Sequence, residues 1–196
     1  MIIDVLTPET NNASQISVGC NKATQWSSMF QETSTFGKAM PSSLHGDIFK
    51  EITHKAYDLA VIFGHIGFNE MSLSWREFRG LYSNLADVPD PFTMFGGQPV
   101  LIGNAQWIWF VPEEHNHGLT DQRLSEILSE VVKWCRSNNI CSVITNGIAD
   151  IDHTGVTAEN RMSDDRRARY LRDYLCKHEG DGLNFTLISL NDVFVR

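Results

Sequence analysis

The sequence predicts a single three-layer α/β/α domain built on a mostly parallel β-sheet. Its 196 residues are enough for one domain with a substantial core. Hydrophobic residues make up 42% and charged residues 20%, which is typical of a globular chain. Apolar strand-like runs alternate with stretches of helical periodicity, and the connections between them are short. This alternation favours parallel strands with helices on both faces, so we expect residues 1–196 to form one α/β domain.

The first half of the chain contains three predicted strands and two predicted helices. Residues 1–6 and 16–21 are short apolar runs, separated by a polar loop. Ser42 or Ser43 is the predicted N-cap of a helix that ends near residue 55, because its apolar residues recur on one face. A buried strand follows, and then a helix with four large side chains at helical spacing. The three elements after the first two strands are predicted at residues 42–55, 58–63 and 71–86.

The second half contains the clearest helix of the chain, predicted from Asp121 to Arg136 with Thr120 as its cap. Its apolar residues match the i, i+3, i+4, i+7 pattern almost completely. Between residues 89 and 99, three prolines and two glycines predict a loop-rich stretch. The other elements are strands at 107–111, 140–145 and 184–190, and a helix at 163–177.

Charge and segment composition exclude several classes of function. The net charge of −8 disfavours a broad nucleic-acid footprint, because phosphates require clustered Lys and Arg. No apolar run is long enough for a transmembrane helix, and the N-terminus lacks the pattern of a signal peptide. The four cysteines form no CxxC pair and are expected to be reduced thiols. We therefore expect a cytoplasmic protein with no nucleic-acid or membrane partner.

Two motifs with hydrolytic potential follow two of the predicted strands. The first is Gly67-Phe68-Asn69-Glu70, and the second is Asp150-Ile151-Asp152-His153. Acyl hydrolysis needs a nucleophile, a base and oxyanion donors. Asn69 can supply an oxyanion donor and His153 the base, with Asp150 orienting the imidazole. Strand ends in open α/β sheets are where ligands usually bind, so we expect these groups to converge.

These motifs resemble the blocks of the SGNH (GDSL-like) hydrolase family. That family has a Ser nucleophile in GDS, an isolated Gly, an Asn in GxND and a His in DxxH. Residues 58–70 look like the strand leading into GxND, with Glu70 replacing Asp, and residues 150–153 match DxxH. Gly46 lies where the isolated Gly could fall. The resemblance implies an SGNH-hydrolase-like (flavodoxin-like) fold and an ester or acyl hydrolase with a small-molecule or acylated substrate.

The nucleophile block departs from the family pattern. In Val18-Gly19-Cys20-Asn21, aligned on its Gly, Cys20 replaces the Asp and Asn21 replaces the Ser. Cys20 or Ser17 is then the candidate nucleophile. The alternative is a catalytically inactive binding module, a pseudoenzyme, on the same fold. Asn69 can equally be a turn former, and the aspartates of the second motif can simply cap loop amides.

Two charged segments allow further interpretations. The sequence Glu113-Glu114-His115-Asn116-His117 contains an HxH pair that can chelate a metal, but a polar surface loop is the favoured interpretation. Five arginines between residues 161 and 172 could bind phosphate. Three aspartates interleave with them, so we expect a solvated helix face with internal ion pairs. The sequence therefore predicts no metal and no cofactor.

A third class of function is nucleotide binding without chemistry. The strand–loop–helix order with Asn146-Gly147 after a strand suits a macro-like domain that holds ADP-ribose-type ligands. The loops lack the dense glycines that a phosphate cradle favours, so this alternative ranks below the SGNH resemblance.

Overall fold

The computed structural model describes residues 41–65, 73–103, 105–113, 120–147, 164–178 and 182–190. All of them belong to the second of the two units into which the chain divides, Ser34–Arg196. Residues 1–40, with the first two predicted strands, lie outside the described residues. The extent of the domain toward residue 1 therefore stays a prediction.

The described elements alternate between strands and helices, apart from one hairpin. In chain order they are β1 (Ser42–His45), α1 (Ile48–His54), β2 (Leu59–His65), α2 (Leu73–Gly80), α3 (Pro91–Phe95), β3 (Pro99–Ile102), β4 (Gln106–Glu113), α4 (Asp121–Ser137), β5 (Ser142–Thr145), α5 (Asp164–Cys176) and β6 (Asn184–Ser189).

The described strands form one six-stranded sheet in the order β1-β6-β5-β2-β4-β3. Among them, only β3 is antiparallel to its neighbour, and the other four pairings are parallel. The prediction of a mostly parallel sheet is confirmed. A flavodoxin-like sheet has the order 2-1-3-4-5. The observed order differs, because β1 lies at an edge of the described sheet and the last strand pairs beside it.

Helices cover both faces of the sheet, as the three-layer prediction requires. Successive side chains of a strand point to opposite faces of the sheet, and the side chains of β2 enter the cores on both faces. Leu59, Val61 and Phe63 pack in the core under α4 and α5. Ala60 and Ile62 pack in the other core, under α1, α2 and α3. All seven residues of β2 are buried, and burial on both faces explains the unbroken apolar run from Leu59 to Phe63.

The predicted helix at residues 42–55 begins too early. Ser42 and Ser43 are not caps but the first residues of β1, which pairs in parallel with β6. Asp47 caps α1, and its Oδ1 accepts hydrogen bonds from the amides of Phe49 at 2.9 Å and Lys50 at 3.2 Å. Pairing with a strand far along the chain overrides the local capping preference of the serines.

The helix predicted at 71–86 is too long at its C-terminal end. α2 ends at Gly80, and the chain continues in tight turns in which Leu81 N donates to Phe78 O. Arg79 Nη1 donates to Val88 O at 2.9 Å and holds the returning chain against the helix. Apolar spacing continues through these turns, so periodicity alone does not mark the end of the helix.

The predicted loop-rich stretch contains a helix and a strand. Asp90 caps α3, and Pro91 occupies the start of the helix, where its missing amide proton has no intrahelical partner to lose. Pro99 is the first residue of β3, an edge strand of the described sheet, where proline is also tolerated. By contrast, Thr120 caps α4 as predicted, and the helix extends to Ser137.

Cysteine placement partly contradicts the expectation of reduced thiols. Cys135 is a buried free thiol, but Cys141 is disulfide-bonded. Burial raises the pKa of the Cys135 thiol to about 12, and the nearby Asp58 carboxylate adds to the rise.

Among the described helices, none is long and apolar enough to cross a membrane.

Candidate functional site

The carboxyl ends of β2 and β5 form a topological switch point. The two strands are neighbours, but the helices that follow them lie on opposite faces of the sheet. After β2 the chain enters α2 and α3 in one layer, and after β5 it enters α5 in the other. Connections that diverge in this way leave a crevice at the strand ends, where open α/β sheets bind ligands.

The backbone pairing of these two strands ends early, and an asparagine side chain continues it. The last paired residues are Val61 and Thr145, although β2 runs on to His65. Asn146 Oδ1 then accepts from Phe63 N at 2.8 Å, and Asn146 Nδ2 donates to Phe63 O at 2.9 Å. The carboxamide thus replaces one peptide unit of the ladder. It satisfies buried backbone groups of β2 without extending β5.

The chain turns away from the sheet immediately after this asparagine. Gly147 has φ of 60°, the left-handed region that favours glycine. Its amide donates to Thr145 Oγ1 at 3.0 Å, which closes a tight turn over the end of β5. Asn146 and Gly147 are both buried, so this turn is a fixed part of the carboxyl edge.

A buried ion pair joins the end of β4 to the first turn of α5. Arg167 Nη1 donates to Glu113 Oε2 at 3.0 Å, and Arg167 Nη2 donates to Glu113 Oε1 at 2.5 Å. Their side chains are only 7% and 4% exposed. The guanidinium carbon also lies 4.9 Å from the centre of the Phe63 ring. The pair therefore contacts the same β2 residue whose backbone Asn146 holds.

The adjacent ends of β2 and β4 are also tightly packed. His65 is paired in register with Glu113, and His65 Nδ1 lies 3.3 Å from the Glu113 carbonyl oxygen. A Cβ atom built on Gly64 would overlap the Phe92 ring, so the residue has no room for a side chain. The ends of β2 and β4 are therefore closely packed beside the switch point.

Most residues predicted for the hydrolytic site lie outside the described residues. These are Cys20, Ser17, Asn69, Asp150 and His153. Their catalytic roles stay predictions from the sequence.

Gly46 is the one predicted site residue that the structure describes. It follows β1, and its amide donates to Ser189 O at 2.9 Å, which extends the β1–β6 pairing. β6 and β5 lie between β1 and β2. With about 4.8 Å per strand, roughly 14 Å separates β1 from β2. The predicted role of Gly46 as an oxyanion element also stays a prediction.

The structure corrects the interpretation of the two charged segments. Glu113 does not begin a polar surface loop but ends β4 as a buried partner of Arg167. His115 and His117 lie outside the described residues. Within the described ranges, no group of three or more His, Cys, Asp or Glu side chains could hold a metal ion. Arg167 is likewise buried rather than part of a solvated face, whereas Arg166 is exposed and bonded to Asp121.

Sequence signals for this buried pair exist, although the charge pattern concealed them. Arg167 lies one helical turn before Leu171 and two turns before Leu175, on the apolar face of α5. Glu113 follows Trp109 and Val111 at strand spacing, on the face that packs under α4 and α5. Two opposite charges in core register on adjacent elements therefore predict a buried pair.

Comparisons with known proteins give structural similarities only. No family model matches the chain, and no curated protein matches it. Among solved structures, it is similar to the macrodomains of Mycobacterium tuberculosis DarG and Thermus aquaticus DarG. Both are 11% identical and cover 76% of this chain, with 97% and 98% of their own length and TM-scores of 0.48 and 0.47.

A further similar structure is the alphavirus P23pro-zbd. It is 11% identical over 89% of this chain and 25% of its own length, with a TM-score of 0.48. At these levels the similarities by themselves assign no function to this chain.

The resemblance to SGNH hydrolases is wrong. Among the described strands, the sheet order and the antiparallel β3–β4 pairing differ from the flavodoxin-like arrangement that the resemblance implied. The three-layer α/β/α architecture is retained, whereas the SGNH-like arrangement is not.

Proposed function

We propose that this chain is a macro-like domain that binds an ADP-ribose-type nucleotide. The observation that carries the proposal is the divergence of the chain after β2 and β5 at the carboxyl edge, into helices on opposite faces of the sheet. β2 extends past its last backbone pair with β5, and the turn at Asn146 and Gly147 leads the chain away from the sheet. Crevices at such switch points bind nucleotide ligands in open α/β folds.

The chain's charge bears on how a diphosphate would be held. With a net charge of −8, the chain attracts anions poorly at long range. The local basic group, Arg167, is already neutralised by Glu113. We therefore expect a bound diphosphate to be held by neutral hydrogen-bond donors rather than by a lysine or arginine cluster. We expect binding with weak salt dependence for this reason.

Isothermal titration calorimetry of the full chain tests the proposal. ADP-ribose is titrated first, and AMP and ribose 5-phosphate are titrated as its two halves. We expect a dissociation constant of about 10 μM or tighter for ADP-ribose, which corresponds to about 7 kcal/mol. Each half should bind at least about tenfold more weakly, because it fills only part of the crevice.

The outcome that would overturn the proposal is equally direct. A folded chain that gives no binding heat with millimolar ADP-ribose would exclude this ligand class. Equal binding of AMP and ADP-ribose would instead indicate a mononucleotide site. A titration at two salt concentrations completes the test, since a steep loss of affinity would point to a cationic site.

A further inference from the structure

The buried pair of Glu113 and Arg167 lies between the end of β4 and the first turn of α5. Both terminal nitrogens of the guanidinium bond to the carboxylate, in a two-point geometry. Such a fork fixes orientation as well as distance, which a lysine could not do. The pair therefore sets both the separation and the angle between these two elements.

Arg167 of this pair contacts the switch point at one residue of β2, Phe63. The guanidinium lies over the Phe63 ring, with its central carbon 4.9 Å from the ring centre. The backbone of Phe63 accepts from and donates to the Asn146 side chain, at 2.9 and 2.8 Å. α5, β4 and the turn after β5 are thus all held against Phe63.

Stability alone is a poor reason for placing this pair in the core. Removing two charges from water is costly, and apolar residues of similar volume often give equal or greater stability. Arg167 Nε is buried and has no hydrogen-bond partner among the described residues. The hydrogen bonds of the described residues therefore do not fully compensate the desolvation of this arginine.

We propose that Glu113 and Arg167 are positioning residues for the nucleotide crevice. They hold the first turn of α5 and the end of β4 in fixed orientation around Phe63, and so set ligand affinity without touching the ligand. This inference rests on the proposed function, because it needs a nucleotide whose affinity can be measured.

The double variant Glu113→Leu with Arg167→Met separates positioning from stability. Both replacements are apolar and close in volume, so the chain should stay folded, with a thermal midpoint within about 3 °C of wild type. Its ADP-ribose affinity should fall at least about tenfold, equivalent to about 1.4 kcal/mol. The two readouts are the melting curve by circular dichroism and the titration by calorimetry.

A matched control exists on the same helix. Arg166 and Asp121 form an exposed ion pair between α5 and α4, with side chains 66% and 42% exposed. The double variant Asp121→Asn with Arg166→Gln removes a similar pair of charges beside the buried one. It should bind ADP-ribose within about twofold of wild type, because exposed pairs contribute little.

The calorimetric results test the inference and the proposed function separately. A folded Glu113→Leu/Arg167→Met chain that binds ADP-ribose as tightly as wild type overturns the inference and leaves the proposed function intact. A wild-type chain that binds no ADP-ribose overturns both together.

If the double variant fails to fold, Arg167→Lys decides instead. Lysine keeps the charge but has no two-point fork. Weaker ADP-ribose binding by this variant, at unchanged folding, supports positioning. Equal binding contradicts it.

Discussion

Replacing Asn146 with alanine should destabilise the fold far more than a typical loss of one polar side chain. The carboxamide makes two buried hydrogen bonds, to the amide and to the carbonyl of Phe63. Both backbone groups would lose their partner in a buried position. Each unsatisfied buried group costs about 1–3 kcal/mol, so for two groups we expect the free energy of unfolding to fall by roughly 2–6 kcal/mol.

Urea denaturation of the full chain, followed by circular dichroism, measures this loss. Asn138→Ala is the matched control, because Asn138 is exposed at the opposite edge and its Nδ2 bonds to Trp134 O at the end of α4. The control should cost no more than about 0.5–1 kcal/mol. A loss below about 1 kcal/mol for Asn146→Ala would refute the view that this side chain replaces part of the sheet ladder.

Asn146→Asp adds a test with a defined pH direction. The ionised carboxylate can still accept from Phe63 N, but it would face Phe63 O without a proton to donate. The protonated acid can donate, so folding should raise the pKa of the introduced carboxyl above its usual value of about 3.9. The stability that this proton supplies is complete below that value and is lost as pH rises through the folded pKa. Stability that does not decline relative to wild type between about pH 4 and 7 would contradict this reasoning.

Three further predictions concern packing, chemistry and capping in the described core. Gly64→Ala should lower the free energy of unfolding, measured by urea denaturation, by roughly 1–3 kcal/mol, because its Cβ would overlap the Phe92 ring. In Gly80→Ala the new Cβ meets no described atom nearby, so this control should be neutral or stabilising. Equal effects at both positions would contradict this packing. Cys135 should resist alkylation at pH 8 in the native chain, since burial raises its pKa to about 12, and mass spectrometry showing rapid native modification of this residue would contradict it. Thr120→Ala should cost about 1 kcal/mol through loss of the N-cap bond of α4, and an unchanged denaturation midpoint would count against that role.

The strongest sequence patterns identified the layers of this fold correctly. The helix at Asp121–Ser137 and the strand at Leu59–His65 were predictable because burial forces an apolar face or an apolar run. The segment from Pro91 to Ile102 was not, because prolines that usually mark loops occupy the two places that tolerate them, a helix start and an edge strand. Sheet order also needed the structure, since strand pairing between distant residues leaves no local signal.

At the candidate site, too, local sequence patterns could be recognised, but contacts between residues far apart in the sequence could not. Asn146-Gly147 after a strand was visible as a turn and motivated the macro-like alternative, but its bonds to Phe63 depend on a strand residue 83 positions earlier. The motif around His153 matched a short family pattern without the matching sheet, and the hydrolase assignment failed for that reason. Arg167 was hidden among exposed arginines, and only its alignment with Leu171 on the apolar face distinguished it.

The most direct test of the nucleotide site is a titration of the isotope-labelled full chain with ADP-ribose, followed by two-dimensional amide NMR. We expect the largest shifts among the described residues at the carboxyl edge, at Phe63–His65 and Thr145–Gly147. The amides of Asp58 and Ser142, which lie at the opposite ends of the same strands, should shift little. Shifts concentrated at Asp58 and Ser142, or no shifts at millimolar ADP-ribose, would contradict a nucleotide site between β2 and β5.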